Sequence, residues 1–341
     1  MKILMAAGHR YPARTGAKAS DRIADYLAKG LAELGHRIIY KLELGASEPL
    51  PENIELVNER RYDVDVMCLQ DYGSPDSQET RGIPWVTTFH SPRKPNDKII
   101  NYIRDNWIFV SATHARSYGR NRYVTNGIDP SELVFSETKD DYFLFVVADL
   151  SDLELKGFEI ARSLVRRCGI KLIVAGAAPY GESAESYIQM FKNEGIVYVG
   201  HVSGERKAEL FAGAKCLLFP TQANETFGLV AAEALMSGTP VISSRNGACP
   251  EVIMPEVGIV CATLDDYVSA VENIDRISPQ ACRTFALERY HYLRMARDYL
   301  VEFEKELALT SARESRAQSR RRSRWVELDR GGYRFTVGIG S

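Results

Sequence analysis

KCLLFPTQANETFGLVAAEALMSGTPVISS, residues 215–244, spells out one complete unit of an alternating fold. The apolar run KCLLFPT reads as a buried strand ended by Pro220, and TQANET as a loop. A helix then runs from about Phe227 to Met236, where Ser237 and Gly238 stop it. PVISS (240–244) begins the next strand. Strands that are apolar throughout, rather than alternating, belong to parallel sheets covered on both faces.

The same pattern extends in both directions. Ahead of the quoted unit stand YFLFVVA (142–148), KLIVAGA (171–177) and IVYVGHV (196–202), and GIVCA (258–262) follows it. An earlier series comprises KILMAA (2–7), RIIYKL (37–42), VDVMCL (64–69), WVTTFH (85–90) and WIFVSA (107–112). Ile23, Leu27, Leu31 and Leu34 give the first helix one apolar face, with Gly35 as its stop. Two series split near residues 130–141 predict an α/β protein of two doubly wound halves facing across a cleft. The expected divisions are 1–135, 136–278, a C-terminal helical segment 279–310 and an Arg-rich tail 311–341. In the helical segment, Ala286, Tyr290, Leu293, Ala296, Leu300, Phe303 and Leu307 form a stripe that needs a surface to cover it.

A chain of 341 residues suits two domains, and 45% hydrophobic residues suffice for real cores. The net charge of −2 offers no general attraction to nucleic acid or membrane. Residues 311–341, however, carry eight Arg against Glu314, Glu327 and Asp329. That tail reads as a solvated or disordered extension, with contact to an anionic membrane as the alternative. Trp325 alone is a poor stacking platform for nucleic acid. The six Cys form no C-x-x-C pair and no zinc-spaced cluster, which points to reduced, structural thiols. No signal-type segment or run of ~18 apolar residues occurs, so a cytoplasmic protein is expected.

The chemistry of the quoted segment starts from the backbone. The amides of Phe227, Gly228 and Leu229 open a helix and lack internal acceptors, so they attract anions, and Gly228 lets a phosphate come close. Glu225 and Glu233 are not stacked neighbours on that helix, which argues against a paired acid and base. They suit hydroxyls on either side of a bound phosphate. Taken alone, they read equally as a loop glutamate and a helix-surface glutamate.

E-T-F-G-L-V-A-A-E-A, followed by S-G-T-P-V-I and N-G-A-C-P-E-V-I, resembles the E-x7-E signature of family 4 retaining glycosyltransferases with the GT-B fold. The first loop and helix (10–38), VTNGID (124–129) and LKGFEIA (155–161) resemble further segments of that family. The resemblance implies two Rossmann-like domains, with acceptor bound by the N-terminal half and nucleotide-sugar donor by the C-terminal half. It implies that Glu225 meets the donor sugar, Glu233 the ribose, and the amides of Phe227, Gly228 and Leu229 the sugar and diphosphate. Lys156 would meet the diphosphate, Gly16 would face donor phosphate and acceptor, and His90 would stand beside the reacting sugar. No divalent metal or other cofactor is implied. The acceptor would be a saccharide, a lipid-linked molecule or a small molecule.

Two positions depart from the family. Ala148 and Asp149 stand where Gly-Arg is usual, and Thr15 replaces a common glycine. Asp149 would repel a diphosphate unless it turns away as a helix cap or unless Arg245 or Arg14 compensates. Competing readings are a silent nucleotide-sugar or polyanion binding protein and a sugar-nucleotide epimerase. A nicotinamide dehydrogenase lacks the expected G-x-G-x-x-G after a strand.

Overall fold

The computed structural model describes residues 1–13, 18–70, 80–179, 182–323, 325–330 and 333–338. β1 (Lys2–Ala7), β2 (Arg37–Leu42), β3 (Ile54–Val57), β4 (Val66–Gln70), β5 (Trp85–Phe89) and β6 (Trp107–Phe109) form one six-stranded sheet ordered β3-β2-β1-β4-β5-β6. All its pairings are parallel. β1 is buried on both faces from Ile3 onward because helices and loops cover both sides, which is why it reads as an unbroken apolar run. α1 (Ala19–Glu33) returns the chain from β1 to β2 with Ile23, Leu27 and Leu31 turned into the core. α2 (Ala112–Ser117) follows β6.

The second sheet repeats the plan. β7 (Phe143–Asp149), β8 (Leu172–Ala177), β9 (Val197–Tyr198), β10 (Cys216–Phe219), β11 (Val241–Ser244) and β12 (Gly258–Cys261) are ordered β12-β11-β10-β7-β8-β9. Its pairings are parallel too. The intervening helices are α3 (Phe158–Cys168), α4 (Glu182–Asn193), α5 (Gly204–Gly213), α6 (Leu229–Met236), α7 (Cys249–Val252) and α8 (Leu264–Asn273). In both sheets the strand order reverses beside the first strand, at β1/β4 and at β7/β10. The carboxyl ends of strands at such a reversal leave a crevice where ligands bind.

The helical stripe expected through residue 307 is two helices. α9 (Pro279–Tyr290) ends at His291, whose backbone is extended, and α10 (Tyr292–Ser323) begins beyond it. The break lets residue 128 pair there: Ile128 N–H donates to Tyr290 O at 2.7 Å, and Tyr292 N–H donates to Ile128 O at 3.1 Å. Gly127 is needed beside it, because a Cβ there would lie 2.7 Å from Tyr292 Cα. α10 then packs on the N-terminal half. Ala296 meets Gly30 of α1, and the Tyr299 hydroxyl lies 2.6 Å from Thr88 Oγ1 on β5.

The tail departs from its unstructured reading. α10 continues to Ser323, and β13 (Trp325–Arg330) pairs antiparallel with β14 (Tyr333–Gly338). Long, Arg- and Ala-containing sequence extends a helix readily once a packed segment has nucleated it. All six cysteines are free thiols, and burial pushes Cys68, Cys249, Cys261 and Cys282 up to about 12. Among the described residues, no helix is long and apolar enough to cross a membrane.

Candidate functional site

The crevice of the C-terminal sheet is built by the loops after β7 and β10. Gly157, the N-cap of α3, has φ +76°. A Cβ on it would stand 2.0 Å from Pro220 O, so only glycine lets the two loops touch. That contact brings Lys156 to Glu225, where Lys156 Nζ donates to Glu225 Oε1 as an ion pair. Thr221 Oγ1 donates to the same oxygen at 3.0 Å. The Glu225 backbone is fixed from the far side, with Ala248 N–H donating to Glu225 O at 2.8 Å and Gly247 at φ +58° packed directly beneath it.

Gly228 turns the chain into α6 with φ +92°, so the helix begins at Leu229 rather than at Phe227. Phe227 is buried, edge-on to Tyr290 with ring centroids 5.5 Å apart. Its side chain therefore anchors the loop, and only its backbone could meet a ligand. Among the described residues, the amides of Phe227, Gly228 and Leu229 have no acceptor, as expected at a helix start.

Glu233 lies inside the protein, 2% exposed, and is not the helix-surface residue that the segment alone allows. Arg22 Nη1 of α1 donates to Glu233 Oε1 at 2.6 Å, and Lys207 Nζ of α5 donates to the same oxygen at 2.7 Å. Burial pushes the carboxyl up, but Lys207 and Arg22 outweigh it and hold the group at about 2. Arg22 also donates to Tyr26 Oη at 2.7 Å and to Glu132 Oε2 at 3.2 Å. Sequence reasoning missed Arg22 and Lys207. Both sit on ordinary amphipathic helices, and no motif marks them.

In the N-terminal half, His90 follows β5 and its Nε2 is 3.3 Å from Gln70 Oε1 at the end of β4. Gly16, and Arg14 with it, lie outside the described residues. His9, after β1, is buried with Nε2 2.8 Å from Asp25 Oδ1, and Tyr40 Oη donates to that same oxygen at 2.8 Å.

Asp149 resolves as a cap. Its carboxylate accepts from Ser151 N–H at 2.8 Å and turns into the short 3-10 turn at Leu150–Asp152, and hydrogen bonds from the Ser151 side chain and then its backbone lower its pKa. Arg245, just past β11, is exposed and its charge acts on Asp266 rather than on Asp149. The structure thus joins Lys156 to Glu225 and places the Gly228 turn beside them. Glu233 is joined to other cations, and Arg245 stands apart.

Residues 135–283 match the family model described as Glycosyl transferases group 1. An MMP alpha-(1->4)-mannosyltransferase of Mycolicibacterium hassiacum is 27% identical over 178 residues, which are 48% of this chain and 43% of that protein. Across the first curated relatives, the chain covers only 35%, 29% and 19% of their length. The crystal structure of AviGT4, a glycosyltransferase involved in avilamycin A biosynthesis, has a TM-score of 0.73 at 21% identity, covering 90% of this chain and 98% of that one. Anabaena HepE, solved with UDP, has a TM-score of 0.66 at 15% identity, covering 89% of this chain and 100% of that one. The fold is therefore GT-B, two parallel six-stranded sheets with helices as in these solved structures.

Proposed function

We propose that this protein is a metal-independent, retaining glycosyltransferase of family 4. It moves a hexose-type sugar from a nucleotide-diphosphate sugar to a hydroxyl of a saccharide, lipid-linked or small-molecule acceptor. The observation that carries the reading is the convergence at the β7/β10 crevice: an ammonium (Lys156), a run of helix-start amides (Phe227 to Leu229) and a carboxylate (Glu225) around one turn. The matched family segment spans this whole constellation. HepE's complex with UDP and the mannosyltransferase relative motivate a nucleotide-bound hexose as donor.

In the proposed reaction the donor's anomeric carbon–oxygen bond to the diphosphate breaks, and a bond from that carbon to the acceptor oxygen forms on the same face. The acceptor proton passes to the departing phosphate oxygen. Lys156 and the amides stabilise the negative charge that grows on the leaving group, which is where fixed electrostatic groups contribute most. Glu225 orients the sugar once Lys156 turns to the phosphate, and Glu233 takes the ribose. His90 stands on the acceptor side of the reacting carbon. We assign the reaction to the cytoplasm, with any membrane contact peripheral and made by the Arg-rich segment.

The test is a thermal-shift and calorimetric screen against UDP, GDP, ADP and their sugar conjugates with a chelator present. A ligand at 100 times its Kd adds about 2.7 kcal/mol of stability. A shift with one nucleotide family, followed by release or transfer of its sugar, supports the reading. Binding without any release of sugar would favour a silent binding protein, and no binding would remove the donor-site assignment.

A further inference from the structure

We propose that Ser111 and Glu251 are positioning residues, and that α2 is the spacer that holds the His90 side of the cleft in register with the Glu225 loop. This rests on the reading of the cleft as a transfer site. It goes beyond that reading because neither residue belongs to the donor constellation.

The argument follows hydrogen bonds across the cleft. Ser111 is fully buried and is the N-cap of α2. Its Oγ accepts from His114 N–H at 3.0 Å, as a cap does, and donates its own proton to Thr226 O at 2.7 Å. Thr226 is the residue between Glu225 and Phe227, in the other half of the molecule. A cap serine needs no second partner to do its local work. This one spends its donor on the backbone of the donor loop.

Glu251 makes the complementary contact. It lies on α7, in the C-terminal half, and its Oε1 and Oε2 each accept one amide proton at 2.8 Å, from Ala112 and Thr113. Both carboxylate oxygens are thus committed to the first turn of α2. The start of α7 is itself joined to the Glu225 backbone through Ala248 N–H. Glu225 and Thr226 are therefore tied to α2 by two separate routes, one through Ser111 and one through Glu251.

The same first turn of α2 also reaches the His90 side of the cleft through His114. The His114 ring is buried among Phe89, Phe109 and Tyr118. Its Nε2 donates to Ser91 O at 2.9 Å, and Ser91 directly follows His90. Burial pushes the imidazole down to about 4, so it stays neutral and keeps one donor for Ser91 and one lone pair facing Val110 N–H. The chain of contacts Thr226–Ser111–His114–Ser91 links the neighbours of Glu225 and His90 through the capped first turn of one short helix. A displacement of about 1 Å between groups flanking a reacting centre costs up to a hundredfold in rate.

The experiment compares wild type, Ser111→Ala, Ser111→Thr and Glu251→Gln in the full chain. Transfer kinetics are measured with the donor found in the screen, nucleotide affinity by calorimetry, and backbone hydrogen exchange at 88–92 and 224–228. Ser111→Ala and Glu251→Gln should lower kcat about tenfold or more with nucleotide Kd nearly unchanged, and Ser111→Thr should restore most of the rate. A role in folding alone would lower stability and leave kcat of the folded fraction intact, and that result would overturn the proposal. Should the wild type transfer no sugar, hydrogen exchange decides instead. Faster exchange at both 88–92 and 224–228 in Ser111→Ala supports the coupling, and unchanged exchange refutes it.

Discussion

Arg22 and Glu233 form an ion pair between the first helix of the N-terminal half and the helix behind the donor loop, at 2.6 Å with the carboxylate 2% exposed. The pair crosses the cleft at the carboxylate proposed for the ribose. A bound nucleotide must therefore share Glu233 with Arg22 or displace it. Calorimetry should find that Glu233→Ala binds nucleotide roughly tenfold or more weakly, the loss of charge-assisted hydrogen bonds. Arg22→Ala should bind it several-fold more tightly, because a competitor for Oε1 is gone. Weaker binding in Arg22→Ala would mean that Arg22 is a ligand for the nucleotide instead.

The same pair sets an acid limit on stability. Glu233 sits at about 2 when folded, below the usual value near 4.5 for an unfolded chain. A depressed carboxylate stabilises the fold fully above the unfolded pKa, and that contribution is lost as pH falls through the folded one. On the order of 3 kcal/mol should disappear between about pH 4.5 and pH 2. In Glu233→Gln that segment of the denaturation profile should flatten.

Lys156 and Glu225 neutralise each other in this structure. The proposed reaction separates them, the ammonium going to the diphosphate and the carboxylate to the sugar. Lys156→Met and Glu225→Gln should each lower kcat/KM by about a hundredfold or more, as loss of one fixed electrostatic contact to the transition state does. The double variant should fall by less than the product of the two, since residues that act as a unit are not additive. Full additivity would contradict a shared step.

Gly247 tests how the donor loop is supported. A Cβ there would stand 2.2 Å from Glu225 O and 2.4 Å from Glu225 N, at φ +58°. Gly247→Ala should destabilise the protein by about 1–3 kcal/mol in chemical denaturation, through strain and displacement of the loop. Gly35→Ala, which shares a positive φ but meets nothing within 4 Å, should lose less.

The sheets were legible because a strand covered on both faces leaves an uninterrupted apolar run. KILMAA and RIIYKL coincide with β1 and β2 residue for residue. β3 escaped notice because it is an edge strand, Ile54–Val57, half-buried along its length and too short to show a pattern. The break at His291 is equally silent in sequence, since it answers to Ile128, far away along the chain. The donor loop could be read because its chemistry is local: a glycine with positive φ, a helix start and two glutamates within one segment. What pairs with those glutamates could not. Arg22, Lys207, Ser111 and Glu251 act across elements, and such contacts leave no spacing to find.

The bridge between Ile128 and His291 puts both passages of the chain between the two halves side by side. One passage leads from 128 into the second half, and the other returns at 291. Two covalent crossings held together at one edge confine the two halves more tightly than a single linker would. Farther into the cleft, Arg22, Ser111 and Glu251 add noncovalent ties between the same two halves.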